Sequence, residues 1–506
     1  MGSALSIMSM FPDTEIWFIT GSQHLYGEKV IETVENHAEE IATFLSDSES
    51  IPVDIIPKSV VASESDIWDV CQKANASDEC IGLVIWMHTF SPGQMWIRGL
   101  NSLNKPFVHF HTQYNRDLPW EEIDMDFMNT NQSAHGGREF GYTTTRMGLK
   151  RKVVVGHWTN ESVQTELGRW ARAACALAGI QGAKIARFGD NMREVAVTEG
   201  DKVSAKMRFG CTVSGYGLGD LVEYVDAVSE EDIDALVTKY ESNYELATPL
   251  QAGNEKHESL REAAAIELGL RAFLEEGNFN AFTTNFQNLT GLTQLPGLAV
   301  QRLMADGYGF GPEGDWKSAL LTRAMKIMGS GLEGGTSLME HYTYHLTPGE
   351  EKVLGSHMLE VCESIADGTP CLEIHPLDIG GKDDPVRAVF DTAPGSAVNA
   401  SLVDMGDRFR IVANTVEVVE PDAELRELPV ACAIWEPDPD FETAIESWIR
   451  AGGAHHTGFS QSVSADHLRD FARMAGLEFL LIDEETDAAS FETELKYSEA
   501  FHKLSE

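Results

Sequence analysis

The first third of the chain alternates short apolar runs with longer stretches of helical spacing. The runs of buried-strand type are Glu15–Thr20, Val53–Ile56, Ile81–Trp86 and Pro106–Phe110. Continuous apolar strands separated by helical stretches are typical of a parallel sheet that is covered on both faces. We therefore predict an α/β domain over residues 1–180. Its loops Gly21–Gly27, His88–Pro92 and His111–Asn115 should follow the carboxyl ends of the strands, where such sheets bind ligands.

The same alternation resumes after a helix predicted at Glu161–Ala178. The next predicted strands are Lys184–Phe188 and Asn280–Phe286, and the next predicted helices are Leu298–Met304 and Trp316–Met328. We predict a second α/β domain over residues 181–330. Neither of these predicted strands is followed directly by Gly-x-Gly-x-x-Gly, and no Walker-type Gly-Lys-Ser/Thr loop is present, so dinucleotide binding has little support.

From about Gly331 onward the pattern changes to short β-prone runs with polar breaks. The β-prone runs are Arg387–Asp391, Ala397–Asp404, Arg408–Val419 and Leu477–Ile482, and helices are predicted at Phe441–Ala451 and Ser464–Ala475. Successive runs of this kind favour an antiparallel sheet or a barrel. We therefore predict a β-rich domain over residues 331–506.

The excess of acidic residues limits the kinds of molecule that the protein is expected to bind. The 506 residues include 38 Lys and Arg against 80 Asp and Glu, so the formal net charge is −42. Such a surface repels phosphate backbones and anionic lipid, which argues against nucleic acid and membrane partners. Neutral small molecules such as sugars remain compatible with it.

The lack of a recognisable secretory signal and the cysteine pattern lead us to expect a cytoplasmic protein. The first residues lack the basic start and apolar run of a secretory signal, and no run approaches the roughly 18 apolar residues of a membrane span. The 7 cysteines are odd in number and widely spaced, without a Cys-x-x-Cys pair. This pattern argues against a disulfide framework or a thiolate zinc site.

Residues 307–357 are dense in glycine, acid and histidine. Glu313, Glu340 and His357 lie there, and the pair His455-His456 follows far downstream. Carboxylate and imidazole ligands suit Mn²⁺ and also Co²⁺ or Fe²⁺. The separations are long, however, and no His-Glu-x-x-His signature is present. Because a single Glu is usually a solvated surface acid and a single His is usually structural, the residues alone leave a metal site as one of two hypotheses.

Eight longer motifs occur in order along the chain. They are Gly21–Gly27, His88–Pro92, Ala134–Gly141, Arg187–Val195, Leu295–Arg302, Glu313–Trp316, Ile379–Pro385 and Gly452–Thr457. This set closely resembles the L-arabinose isomerase family and extends from near residue 15 to at least residue 457. So many long motifs in one order make the resemblance far more specific than any single short pattern.

The resemblance implies an α/β fold in which two Rossmann-like domains precede a β-rich, barrel-like C-terminal domain. It implies an enzyme that interconverts L-arabinose and L-ribulose, with a side activity on D-galactose that yields D-tagatose. Such an overlap is expected because an apolar pocket discriminates only modestly against one added hydroxymethyl group. It also implies a homo-oligomer, typically a hexamer, with active sites between subunits.

The resemblance further implies one Mn²⁺ per subunit, which Co²⁺ or another divalent ion can replace. The implied metal ligands are Glu313, Glu340, His357 and His456. His455 is expected to support the site instead. An ion that chelates O1 and O2 of the open-chain sugar would polarise the carbonyl and favour proton transfer through an enediol.

Glu313 and Glu340 resemble the catalytic pair of the family. Two carboxylates that face one C1–C2 bond can act as base and acid if their surroundings separate their pKa values. Either residue can be the initial base. A metal-assisted hydride shift would use the same ligands and is the mechanistic alternative.

The substrate contacts implied by the resemblance come from both α/β domains and from the C-terminal domain. They are Gln23, Leu25, Tyr26, Phe90, His135, Met192, Phe286 and Ile379. Gln23 and His135 can hydrogen-bond sugar hydroxyls, and the apolar members can cover the carbon skeleton. Without the resemblance, the apolar members would be interpreted as ordinary core residues.

Two other functions fit parts of the sequence. One is an isomerase for another aldose, of the fucose or galactose type, which would share the metal and the paired carboxylates. The other is a sugar-binding protein without catalysis, because two α/β lobes can clamp a sugar between them. That alternative predicts a secretory signal and leaves the four ligand candidates without a role.

Overall fold

The computed structural model describes residues 14–377, 379, 381–423, 425 and 427–505. The chain divides into two compact units, Met1–Ala178 with Asp466–Met474 and Gly179–Ala465 with Ala475–Glu506. Within the described ranges, every helix is too short or too polar to cross a lipid bilayer.

The first unit is built on a parallel sheet. Its strands are β1 (Glu15–Gly21), β2 (Asp54–Pro57), β3 (Cys80–Met87), β4 (Phe107–His111) and β5 (Lys152–Val155). The helices between and after them are α1 (Glu28–Ser46), α2 (Glu64–Ala76), α3 (Gly93–Ser102), α4 (Met125–Thr130), α5 (Ser133–Arg146) and α6 (Glu161–Ile180). The strands lie side by side in the order β2-β1-β3-β4-β5. Every residue of β3 is buried, which explains its unbroken apolar sequence.

The second unit begins with another parallel sheet. Its strands are β6 (Lys184–Phe188), β7 (Thr212–Tyr216), β9 (Ala281–Thr283) and β10 (Gly309–Gly311). The short strand β8 (Glu245–Leu246) belongs to a different, three-stranded sheet. The helices are α7 (Lys202–Phe209), α8 (Leu218–Asp226), α9 (Glu230–Asn243), α10 (His257–Glu276), α11 (Gly297–Ala305) and α12 (Trp316–Gly329). The strand order is β10-β9-β6-β7, all parallel. Together with the first unit, this sheet confirms the two α/β parts predicted from the sequence.

The rest of the second unit is rich in strands. They are β11 (Thr336–His345), β12 (Lys352–Ser356), β13 (Cys371–Ile374), β14 (Val386–Val389), β15 (Gly395–Asp404), β16 (Phe409–Val419), β17 (Cys432–Pro437), β18 (His456–Ser460) and β19 (Glu478–Ile482). The helices in this part of the chain are α13 (Phe441–Arg450), α14 (Ala465–Ala475), nearly all of which belongs to the first unit, and α15 (Ala488–Ser505). The strand order β15-β18-β11-β12-β17-β16 is closed by pairing of β15 with β16, and β19 lies beside β16. The predicted barrel-like domain is therefore confirmed, and β8, β13 and β14 form a separate small sheet.

One strand prediction was too long, and several strands were not predicted. Only Ala281–Thr283 of the predicted strand Asn280–Phe286 is extended. The chain turns after it because the carbonyl of Thr284 accepts a hydrogen bond from the backbone N–H of Gly314 at 3.1 Å. Among the strands that were not predicted are β11, β12 and β18, in which polar residues or glycine interrupt the apolar alternation.

Candidate functional site

The pocket of interest lies in the second unit, where loops of the parallel sheet meet the barrel. It has a volume of about 210 Å³. Its walls are Thr284, Phe286, Leu289, Leu295, Pro296, Pro312, Glu313, Glu340, Tyr342, His357, Met358, Leu359, Glu360, Leu377 and Ile379. The first residues follow β9 and β10 at their carboxyl ends, where open parallel sheets bind ligands.

Glu313 reaches the pocket from a tight turn. The strand β10 ends at Gly311, and the turn Pro312–Gly314 follows it directly. The backbone of Glu313 lies in the left-handed region, with φ 59° and ψ 21°. Its carbonyl accepts a hydrogen bond from the N–H of Met192 at 2.9 Å. The turn thus projects a carboxylate immediately before α12 begins.

Glu340 and His456 come from neighbouring strands of the barrel. They are paired residues in the antiparallel register of β11 and β18. Directly opposite residues place their side chains on the same face of a sheet, with Cβ atoms about 5 Å apart. His357 follows β12 directly, and Ser356 before it is also paired with Glu340. Strand pairing therefore gathers three side chains that are far apart in sequence.

The two histidines are held in the same way. The Nδ1 of His357 lies 2.5 Å from Glu360 Oε2, and its Nε2 lies 3.9 Å from Glu340 Oε2. The Nδ1 of His456 lies 3.4 Å from Asp315 Oδ2, and its Nε2 lies 3.9 Å from Glu313 Oε2. Because an ionised carboxylate can only accept, each Nδ1 carries a proton, and each Nε2 presents a lone pair whenever the ring is in its neutral form.

The donor types in this set, two carboxylates and two imidazoles, suit a divalent cation. His456 is completely buried, and its Nε2 has no hydrogen-bond partner among the residues that the structure describes. Buried polar atoms are rarely left without a partner, so this nitrogen is a candidate to bind a ligand. Histidines that bind metals usually donate their other N–H to a carboxylate, as both do here. Glu313, Glu340, His357 and His456 could together hold an ion.

His455 offers a second geometric possibility. One donor atom each from Glu313, His455 and His456 lies within 4.8 Å of the others. Burial and the charge of His456 lower the pKa of His455 to about 4, so its imidazole is neutral near pH 7. The carboxylate partner of His456 orients that residue specifically, which favours His456 as the ligand and His455 as its neighbour.

Electrostatics at the site are dominated by burial and by the clustered carboxylates. Burial raises the pKa of the Glu340 carboxyl. The charges of His357 and His456 oppose this rise, whereas those of Glu313 and Glu360 add to it. Burial opposes protonation of His357, but the Glu360 carboxylate outweighs it and raises the pKa of His357 to about 9. The Glu360 charge therefore compensates for the burial of this imidazole.

Asp315 connects the site to the start of α12. Its carboxylate caps the helix by accepting from the N–H groups of Lys317 and Ser318. Burial alone would raise the pKa of Asp315, but the Lys317 ammonium 2.9 Å away and His456 hold that pKa well below its usual range. Asp315 is therefore ionised and can accept the proton of His456 Nδ1.

Comparison with known proteins places the chain in a family. Models of the L-arabinose isomerase N-terminal, central and C-terminal domains match residues 10–182, 184–331 and 335–478. The L-arabinose isomerase of Herpetosiphon aurantiacus is 58% identical over 490 residues, which cover 97% of this chain and 98% of the relative. The enzyme of the same name from Geobacillus stearothermophilus is 56% identical over 487 residues, covering 96% and 98%. The chain belongs to the L-arabinose isomerase family.

The structure gathers the four ligand candidates suggested by the family resemblance around one pocket or beside it. Phe286 and Ile379, two of the predicted substrate contacts, line that pocket. Met192 lies in the loop after β6, where its backbone supports the Glu313 turn. The structure thus brings these three substrate-contact candidates to the same part of the second unit.

The other five candidates suggested by the family belong to the first unit. Phe90 and His135 stack there with ring centroids 4.8 Å apart, and Tyr26 donates a hydrogen bond to Gln132 at 2.9 Å. Gln23 precedes the short helical turn His24–Tyr26, and Leu25 within it is 82% exposed. These residues follow β1 and β3 or lie on α5, so the first unit gathers them near the carboxyl ends of its strands.

Two functional residues were missed by sequence reasoning. Asp315 and Glu360 orient His456 and His357, yet neither was assigned a role. Both lie close in sequence to a ligand candidate, two residues after Glu313 and three after His357. A search for carboxylates near each candidate ligand would have found them, although their pairing with a particular histidine depends on the fold.

We expect Glu360→Gln to weaken divalent-ion binding by about 10- to 100-fold, because the amide no longer fixes the Nδ1 proton of His357 by charge. Titration of the metal-stripped variant with Mn²⁺, followed by electron paramagnetic resonance, measures this directly. Glu363→Gln is a suitable control, since Glu363 bonds Tyr244 rather than a site histidine. An unchanged Mn²⁺ affinity in the Glu360 variant would contradict the role given to this carboxylate.

Proposed function

We propose that the chain is an aldose–ketose isomerase that interconverts L-arabinose and L-ribulose. The observation that carries the proposal is the pocket in which Glu313 and Glu340 stand beside two histidines, each oriented by its own carboxylate. The relatives that share 54–58% of their residues with this chain carry the name of that activity. A pure binding protein would have no use for such a set of donors.

We propose that one Mn²⁺ per subunit is held by four side chains. They are Glu313, Glu340, His357 and His456. Co²⁺ or another divalent ion can take its place, because carboxylate and imidazole ligands do not select strongly among them. When bound, the ion supplies Lewis-acid polarisation of the sugar oxygens.

The two carboxylates are proposed to move the protons. In the aldose-to-ketose direction one carboxylate removes the proton from C2 and returns it to C1, and the proton of the O2 hydroxyl passes to O1. Glu313 and Glu340 reach the pocket from different elements, a turn after β10 and the strand β11, so they can approach the C1–C2 bond from two directions. Asp315 and Glu360 accept the Nδ1 protons of His456 and His357, which leaves Nε2 of each ring to hold the ion.

A side activity that converts D-galactose to D-tagatose is part of the proposal. Part of the pocket wall is apolar, including Phe286, Leu377 and Ile379. An apolar wall discriminates against one extra hydroxymethyl group by only about 1–3 kcal/mol. The proposal also includes a cytoplasmic homo-oligomer, a hexamer with active sites between subunits, and three domains with the bounds 1–180, 181–330 and 331–506.

Metal removal provides the test of this function. Purified protein stripped by chelator is expected to form no ketose from L-arabinose, and added Mn²⁺ is expected to restore turnover, because the ligand carboxylates alone cannot polarise the carbonyl. Ketose is measured colorimetrically, and D-galactose is the comparison substrate at equal concentration.

The outcomes separate the competing functions. Turnover of another aldose but not of L-arabinose would replace the substrate and keep the reaction class. Saturable binding of L-arabinose without turnover, with Mn²⁺ present and the oligomer intact, would favour a sugar-binding protein and reject the isomerase.

A further inference from the structure

The turn that carries Glu313 has an unfavourable backbone conformation. Glu313 has φ 59°, and Gly314 after it has φ 82°. Glycine adopts positive φ without penalty, whereas other residues with a Cβ atom are disfavoured there by about 1–2 kcal/mol. A glutamate therefore keeps this conformation only if surrounding contacts hold the turn in place.

The contacts come from the loop after β6. The side-chain amide of Asn191 donates from Nδ2 to the carbonyl of Gly314 at 3.3 Å and to the carbonyl of Thr198 at 2.5 Å. Its Oδ1 accepts a hydrogen bond from Arg187. The next residue, Met192, donates its backbone N–H to the carbonyl of Glu313. Two successive residues of one loop thus bind two successive residues of the turn.

The loop after β6 packs against the turn Pro312–Gly314 without space for a side chain at Gly314. A Cβ atom added at Gly314 would lie 2.7 Å from the Cα of Asn191 and 2.9 Å from the carbonyl oxygen of Asp190. The loop is itself fixed, because Asn285 donates to that same Asp190 oxygen at 2.9 Å. Asn191 is only 6% exposed, so water cannot readily replace its hydrogen bonds. Movement of the turn would therefore require its partners to move as well.

We infer that Asn191 is a positioning residue for Glu313. Its amide locks the turn Pro312–Gly314, and through the turn it fixes where the Glu313 carboxylate enters the pocket. Asn191 is not a wall of that pocket and is given no contact with substrate. The catalytic consequence rests on the proposed isomerase function, whereas the immobilisation of the turn does not.

Two variants and one matched control test the inference. Asn191→Ala removes all three side-chain hydrogen bonds. Asn191→Asp has nearly the same shape and can still accept from Arg187, but it places a carboxylate against two carbonyl oxygens. Asn414→Ala is the control, because the Asn414 amide is also buried and donates to the carbonyls of Thr415, Asp438 and Ile482 in the barrel.

Hydrogen exchange by mass spectrometry reports on the turn without any reaction. In both Asn191 variants we expect exchange in peptides that cover residues 309–316 to rise by about tenfold or more, since the N–H of Gly314 and its neighbours lose a fixed environment. The Asn414 variant should leave these peptides unchanged even if its melting temperature falls by a similar amount.

Steady-state kinetics measure the effect of the Asn191 variants on catalysis. A misplaced carboxylate should lower kcat by about 10- to 100-fold in both Asn191 variants, while KM for L-arabinose changes by less than about threefold. Unchanged exchange over residues 309–316 would overturn the inference whether or not the protein isomerises sugar. Faster exchange with an unaltered kcat would overturn it too, and wild-type protein without any turnover would instead count against the proposed function.

Discussion

Replacing Glu340 by glutamine is expected to lower the rate of ketose formation by about a thousandfold or more. The amide has the same shape but can neither accept the proton from carbon nor bind a cation with its charge, and general acid–base catalysis alone contributes about 10²–10⁴-fold. Glu313→Gln should have an effect of the same size, because both carboxylates face one pocket. Initial rates with L-arabinose at saturating Mn²⁺ measure the loss.

The control for this pair is Glu333→Gln, which changes an exposed acid between α12 and β11 in the same way. Circular dichroism and size-exclusion chromatography should show that all three variants fold and assemble alike. Near-normal activity in the Glu340 or the Glu313 variant would remove that residue from the mechanism.

Replacing Glu478 by glutamine is expected to reduce the free energy of unfolding by about 3 kcal/mol. Glu478 on β19 accepts from Arg408 Nε at 2.6 Å, from Arg410 Nε at 2.7 Å and Nη2 at 3.0 Å, and from the Ser498 hydroxyl. The side chains of Arg408 and Arg410 are 8% and 3% exposed. An uncharged partner would leave two guanidinium groups buried with too little opposite charge.

Glu499→Gln is the matched control, because Glu499 binds the same two arginines but is 41% exposed. Its removal should reduce the free energy of unfolding by less than about 1 kcal/mol, since water can replace much of the interaction. Denaturant unfolding followed by tryptophan fluorescence compares the two variants. Equal losses would show that burial does not set the strength of this cluster.

The stability difference between wild type and the Glu478 variant should also depend on pH. Burial opposes ionisation of Glu478, but hydrogen bonds from Arg410, Ser498 and Arg408 lower its pKa from 4.5 to about 2. A carboxyl whose pKa is depressed by folding stabilises the native state above its unfolded pKa and loses this contribution as pH falls toward its folded pKa. The difference should therefore be constant above about pH 5 and shrink between about pH 4.5 and pH 2.

The parallel-sheet parts of the fold could be predicted from local pattern, whereas much of the barrel could not. The strands β1, β3, β4 and β6 are apolar runs bounded by polar breaks, so hydrophobic periodicity locates them within about two residues. In contrast, β11 reads Thr336-Ser-Leu-Met-Glu-His-Tyr-Thr-Tyr-His345, in which polar residues dominate. Its extended conformation is stabilised by pairing with β12 and β18, which is information that no local window contains.

The candidate site, too, could be predicted only in part from the sequence. Glu313, Glu340, His357 and His456 could be named because the chain resembles a family, whereas spacing alone favoured surface acids and structural histidines over ligands. The partners that make the histidines effective, Asp315 and Glu360, depend on which strands lie side by side. Strand pairing decides that Glu340 stands opposite His456, and neither residue carries a signal of this in its own neighbourhood.

The pairing of β11 with β18 determines where the protein can accept an inserted or deleted residue. Residues 340 and 456 are separated by 456 − 340 = 116 positions, yet they work together only because both side chains point to one face of β11 and β18. Successive residues of a strand alternate between faces, so one inserted residue that no bulge absorbs reverses the parity of everything beyond it in that strand. Loops between the two strands that carry no site residue can change length without disturbing this pairing, whereas a single extra residue inside β11 before Glu340 would turn this carboxylate away from its partner and separate the donors without altering one amino acid among them.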